Sequence, residues 1–564
     1  MSASSASIDL RTLLALKFDF NDGTATRKAD LLERLERRRL ETAKEVAALH
    51  EMLCFLRAYP QNDRVLSIAE RLAGSFAARP DLRRHRKALA DSGIAGTDLN
   101  FPFFWLTARW LVERWPDRLA IDWPAWERKD RVQRLLEVLM PYCETPGLDT
   151  FAFSSREWID RLKGAAGTDA AFLIRRFSAL PVEQPLRELL YEDLDVPVTL
   201  KPGPTTPART AERWPGSPIV FRTTPLERSR PDLRKAIAAA RPRVRPVDRR
   251  EGRKLIDLAN GCMVPRHRDL LVFLNADDGD VRMIDFGDGL QFACMGAVPE
   301  RRLMLEAVYG FLTLNNGVPI GYVLCSAFFN SAEVAYNVFE TFRGAEAARN
   351  YARVLATVKH LFGADSFAVD PYQLGHDNAE GQASGAWWFY YKLGFRPRDP
   401  AIKRLVRQEL AAMRRDPEHR TSRPRLNDLA ADYMFLEIGR PRRAVLGEIS
   451  LGNIGLHVTR YLADRFGADR EMGIETCADE AARLLGLRSL RSLNPGERVA
   501  WTRWAPLVMA LPGVGRWPAA DRHALRDVVR AKGGQRESDF VRRFDRHRRL
   551  RQAVAALANE EVEG

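Results

Sequence analysis

Two short stretches carry side chains whose types and spacing suit chemistry. The first is Arg343-Gly344-Ala345-Glu346-Ala347-Ala348, a small-residue turn between a strand-like run, Glu333–Thr341, and a helical run from about Ala345 to Phe362. The first turn of a helix holds unpaired N–H groups and a partial positive charge, so such a turn suits a phosphate or diphosphate. Small residues let a ligand approach the backbone, and Arg343 can add a charge-assisted contact. The second stretch, Ala386–Phe395 (AWWFYYKLGF), reads as a short helix closed by Gly394, with Phe395 as its apolar anchor. A tyrosine here, Tyr390, can give its phenolic proton to a leaving thiolate. Trp387, Trp388 and Phe389 read as core aromatics.

The elements that must position these groups follow from periodicity. Residues from about 26 to 195 are helical in pattern, with Leu31, Leu32, Leu35, Val46, Leu49 and Leu53 as an apolar stripe in one long run, Thr26–Tyr59. Further helices are expected around Asp63–Ala77, Pro102–Arg114 and Asp130–Met140. Lys201–Pro218, rich in Pro, Gly and Thr, is expected to be an exposed linker, and Arg228–Arg253 a basic, solvated connector. Then the pattern changes. Asp269–Gly287 reads as two strands about an Asp-Asp-Gly-Asp turn, and Asn315-Asn316-Gly317 sits in the clearest hairpin. Strand, helix, strand and helix follow, with strand Ser366–Tyr372 after the long helix. Beyond Pro400 the chain is helical again. The expected fold class is α+β: a mixed α/β domain with a mainly antiparallel sheet, flanked by helical regions. The expected division is 1–200 helical, 201–248 connector, 249–400 central domain and 401–564 helical.

Arg343-Gly-Ala-Glu-Ala-Ala348 resembles the R-x-x-G-x-G/A pyrophosphate loop of the GNAT superfamily of acyl-CoA-dependent N-acyltransferases. Trp388-Phe-Tyr-Tyr-Lys-Leu-Gly-Phe395 resembles that family's aromatic-Tyr-x-Lys-Leu-Gly-Phe segment. The resemblance covers about a quarter of the chain, and the second motif is the more specific. It implies binding of acetyl-CoA or another acyl-CoA as co-substrate, with no metal. Gly344, Ala345, Ala347 and Ala348 would offer amides to the pyrophosphate, beside Arg343. Asn337, Phe339 and Thr341 would line the pantetheine arm. Tyr390 would be the general acid and Asn378 the asparagine before the last helix. Glu340 is the candidate base by position alone. The acceptor would be an amine, on a small molecule or a protein. Two departures stand out: Glu346 occupies the place of the pattern's first glycine, and Pro371–Gly385 is a long link. A non-catalytic relative is the alternative.

Two rivals remain. His267-Arg-Asp269 and Asp285-Phe-Gly287 look like kinase motifs, but no Asn stands five residues after Asp269 and no Gly-rich loop precedes it. Leu511-Pro-Gly-Val-Gly515 resembles the turn of helix-hairpin-helix DNA-binding modules, with basic residues Arg542–Arg551 further on. A net charge of +14, from 88 Lys plus Arg against 74 Asp plus Glu, allows nucleic acid as a partner but is spread along all 564 residues. The six cysteines form no C-x-x-C pair, which argues against zinc and against a disulfide framework. With no secretory pattern at the N-terminus and no apolar run of spanning length, the expectation is a cytoplasmic, multidomain protein with no membrane partner.

Overall fold

The computed structural model describes residues 4–21, 23–165, 167–227, 229–344 and 346–560. The fold is α+β. The chain forms two compact units. One comprises 1–226, 254–274 and 314–320; the other comprises 227–253, 275–313 and 321–564.

The first unit is mainly helical. The long run expected from Thr26 breaks into two helices, Thr24–Arg37 and Ala43–Ala58. Thr42 caps the second, in reciprocal hydrogen bonding with Glu45, so the chain restarts instead of continuing. All six residues of the apolar stripe are buried in one core. A second core gathers Trp105, Phe177 and Tyr191 around a small antiparallel sheet. Its strands are β1 (Leu99–Phe101), β2 (Leu119–Ile121) and β3 (Val198–Leu200), in the order β1-β3-β2. The stretch expected as an exposed linker is packed instead. Thr210 and Glu212 are buried, the Thr210 carbonyl accepts from Arg57, and Glu212 pairs with Arg266 at 2.8 Å.

The second unit is built on a nine-stranded sheet. Its strands are β4 (Arg243–Pro246), β5 (Ala276–Asp285), β6 (Leu290–Ala297), β7 (Ala307–Asn315), β8 (Val318–Phe328), β9 (Ser331–Val338), β10 (Ser366–Val369), β11 (Arg396–Pro397) and β12 (Met434–Glu437). The order is β11-β12-β10-β9-β8-β7-β6-β5-β4. The hairpin between β7 and β8 turns at Asn316 and Gly317, both at positive φ, as the Asn-Gly chemistry predicts. Two readings need correction. Asp-Asp-Gly-Asp is no turn between strands: it lies inside β5 as an irregularity between Ala276 and Val281, and Leu271–Leu274 is a short helix. The basic connector is not merely solvated chain, because it supplies helix Leu233–Ala239 and the edge strand β4.

One pairing positions everything that follows. β9 and β10 are parallel and joined by the 16-residue helix Ala347–Phe362. They pair only at Ser331/Ser366, Ala332/Phe367 and Glu333/Ala368. β9 then runs on to Val338 against β8, while β10 ends at Val369 and pairs antiparallel with β12 on its other side. The two strands therefore part company after Glu333.

The sheet beside this gap is tightly packed. A Cβ at Gly321 of β8 would lie 2.2 Å from the backbone oxygen of Asn337 on β9, which is backbone that cannot swing aside. Gly321→Ala is therefore expected to destabilise by about 1–3 kcal/mol. Gly455→Ala, where an added Cβ meets nothing within 4 Å, should be neutral or slightly stabilising in a helix. Paired urea denaturation curves check the contrast.

Candidate functional site

Beyond Glu333 the edge of β9 that faces away from β8 has no strand beside it among the described residues. Buried N–H and C=O groups need partners. At Tyr336 two side chains supply them. Gln373 Nε2 donates to the Tyr336 carbonyl at 3.1 Å and to the Tyr390 hydroxyl at 3.3 Å. The Tyr336 amide in turn donates to the Tyr390 hydroxyl. Tyr336 thus turns both its backbone groups toward the gap, and strand alternation sends those of Val338 the same way. Asn337, expected to line the pantetheine arm, has its backbone in register with Tyr322 of β8.

Tyr390 lies on helix Ala386–Lys392 and is buried among Tyr351, Phe389 and Phe395. Burial pushes its phenol up to about 12, so it stays protonated at neutral pH. Its oxygen accepts two hydrogen bonds, and its own proton has no acceptor among the described residues. Trp387 is buried and donates to the Leu429 carbonyl, as a core aromatic should.

The second part of the site is the start of helix Ala347–Phe362. Gly344 and Glu346 both have positive φ, and Glu346 is the N-cap residue, with no side chain capping the helix. A cleft of about 370 Å³ opens here. Its lining includes Gly344, Ala347, Ala348 and the Phe389 ring, with Ser229 and Arg230 arriving from the basic segment. Those last two are contacts that a reading of the segment as solvated chain misses. Ala345 lies outside the described residues. Arg343 is exposed and paired with Glu380.

Glu346 also borders this cleft, but its carboxylate is buried and folded back. It accepts from Arg349 at 2.9 Å and from the Glu227 amide at 3.4 Å. Arg349 is shared further with Asp288 at 2.8 Å. A residue with a Cβ at φ 48 carries left-handed strain of about 1–2 kcal/mol.

The remaining candidates separate. Glu340, Thr341 and Phe342 form a 3-10 turn beyond β9, which ends earlier than expected. Glu340 is exposed there, and Phe339 is buried against Tyr322. Asn378 caps helix Ala379–Ser384 by accepting from the Gly381 amide, and it donates to the Tyr372 carbonyl. Asp269, of the kinase-like motif, accepts from the Phe104 amide and the Thr107 hydroxyl at the head of helix Trp105–Arg114. Asp285 accepts from the Gly287 amide in a turn. Leu511–Gly515 links two helices through a 3-10 turn at Val514–Arg516, with Leu511 and Val514 buried as packing.

One carboxyl that the sequence reading passed over stands at the point of divergence. Glu333 is the last β9 residue paired with β10. Burial first, then the nearby Asp370 carboxylate, raises its carboxyl to about 7. The Tyr433 hydroxyl donates to it at 3.4 Å and also faces Asp370. No cation pairs with Glu333 among the described residues. Its position could be read as strand, but not its burial, which depends on a partner 100 residues away.

No protein-family model, curated protein or solved structure matches this chain.

Two expectations follow. Glu346→Gly removes a carboxylate from the cleft, frees Arg349 and relieves left-handed strain. Coenzyme A should bind about tenfold tighter to the variant by calorimetry. The raised carboxyl of Glu333 makes its contribution to stability largest below the unfolded value of 4.5 and removes it as pH climbs through about 7. Glu333→Gln does not titrate. Its stability relative to wild type should therefore rise between pH 5 and pH 8 by about 2–3 kcal/mol, read from denaturation midpoints across that range.

Proposed function

We infer that this chain is an N-acyltransferase of the GNAT type, moving an acyl group, acetyl in the simplest case, from coenzyme A to an amine. The observation that carries the reading is the parting of β9 from β10 with the Tyr390 hydroxyl at the opened edge. Three further features support it. The helix joining the two parallel strands begins uncapped over a cleft, as a diphosphate site requires. Of the motif residues, Gly344, Ala347, Ala348 and Phe389 line the cleft, and Tyr390 reaches the gap. A carboxyl near neutrality, Glu333, stands where the gap starts.

Each residue then has a task. Gly344, Ala347 and Ala348 would meet the pyrophosphate with backbone, aided by Arg230. The edge of β9 at Tyr336 and Val338 would pair with the amide-bearing arm of the co-substrate, with Gln373 moving off the Tyr336 carbonyl to admit it. The thioester supplies the activated acyl group. Glu333 takes the proton that the attacking amine must lose, directly or through a water, in place of Glu340. Tyr390 gives its proton to the sulfur as the carbon–sulfur bond breaks. Its high value suits it to remain a donor at neutral pH. An acidic surround at Glu333, with Asp370 beside it, favours a cationic acceptor.

Among the described residues no helix is long and apolar enough to cross a membrane. A cytoplasmic setting remains part of this proposal, as does the absence of any metal requirement.

The direct test is titration of the full chain with acetyl-CoA, followed by turnover with a panel of amines. Tyr390→Phe should lower kcat about 100-fold or more and leave coenzyme A affinity within about twofold. Equal loss of both would make Tyr390 a packing residue, and no binding of acetyl-CoA by the wild-type chain would sink the assignment.

A further inference from the structure

We propose that the N-terminal unit holds a binding site of its own for a small organic oxyanion, a molecule carrying a phosphate or carboxylate group. It is independent of the cleft described above. The site is a half-open cleft of about 790 Å³, lined by residues within 57–96 and 202–211. That volume falls in the range of roughly 300–1,000 Å³ common to ligand pockets.

Small residues make up much of the lining: Ala73, Gly74, Ala77, Ala95, Gly96 and Ala211. Gly74, the exposed last residue of helix Asp63–Gly74, sits at the cleft, and a Cβ there would meet nothing within 4 Å.

Into this small-residue space the fold sets a buried cation. The Arg57 side chain is only 4% exposed. Its Nε donates to Glu70 at 3.1 Å and its Nη1 to the Thr210 carbonyl at 2.7 Å. Nη2 has no partner among the described residues. Glu70 does not cancel this charge, because it also receives Arg213. Arg83 and Arg86 add two more guanidinium groups to the lining. Arg86 pairs with exposed Asp98, and Arg83 has no partner among the described residues. Three arginines against one glutamate leave the lining at +2. A guanidinium held rigid by a backbone carbonyl, with one N–H edge unspent and two further arginines beside it, is a geometry for an oxyanion. Apolar surface from Leu82 and the alanines suits a ligand with a carbon body over a bare ion.

The test uses the full chain, with phenyl phosphate and benzoate as probes. Each is titrated calorimetrically, with potassium chloride of matched ionic strength as control. Saturable binding of either probe is expected, and which one binds identifies the anionic group. Arg83→Ala/Arg86→Ala, which changes only exposed side chains, should weaken that binding about tenfold or more. Gly74→Leu should abolish it by filling the space while raising the melting temperature or leaving it unchanged. Absence of saturable binding for both probes would overturn the proposal. So would binding that survives unaltered in both variants while each retains the wild-type melting temperature.

Discussion

The architecture of the second unit turns on a ladder that stops. β9 and β10 share only three residue pairs, and the sheet must then satisfy a buried strand edge without a strand. It does so with side chains, Gln373 and Tyr390, meeting at the backbone of Tyr336. A side-chain amide that holds a main-chain carbonyl is an exchangeable partner: another amide can take its place at little net cost, because one hydrogen bond replaces another. A ladder strand could not be displaced in this way. The same edge is therefore closed in the free protein, and on the proposed reading an amide-bearing ligand would take the place of Gln373 there.

Charge placement around that edge follows the same logic. The phenol of Tyr390 and the carboxyl of Glu333 are both raised by burial, and in both cases the protonated form gains. One result is a donor that keeps its proton at neutral pH; the other is a carboxyl that exchanges its proton near neutrality. Two titratable groups with displaced values at one opening mark a site where protons can be moved. Glu346 shows the opposing tendency. Its carboxylate at the head of the helix is held by Arg349 instead of being directed into the cleft, so the anion beside the amides is largely neutralised.

Much of this was legible in the chain. The Asn316-Gly317 turn, the long helix ending at Phe362 and the short aromatic helix at Ala386–Lys392 all follow local rules, and the structure has them. So do the five leucines and one valine of the N-terminal stripe, apart from the break at Thr42, where a capping box outweighs continuous periodicity. What was not legible depends on pairing at a distance. Asp-Asp-Gly-Asp has turn composition, yet β6 pairs with the chain on both sides of it, at Ala276 and again from Val281, so it becomes an irregularity within one strand. Gln373 sits in a polar stretch with nothing to set it apart until the fold brings Tyr336 within reach. Ser229 and Arg230 look like solvated chain because the cleft they line is assembled from residues more than a hundred positions later. Glu333 differs from other strand glutamates first through its burial, and then through Asp370 and Tyr433.

The measurement closest to the central claim is amide hydrogen exchange across β9 and the head of the following helix, with and without saturating coenzyme A. The account predicts slower exchange at Val338 and at Ala347 and Ala348, with the Tyr336 amide remaining protected throughout and Gly321–Cys325 of β8 unchanged. Exchange at Val338 and the helix start that is the same in both states, at a ligand concentration where binding is saturated elsewhere on the chain, would contradict it.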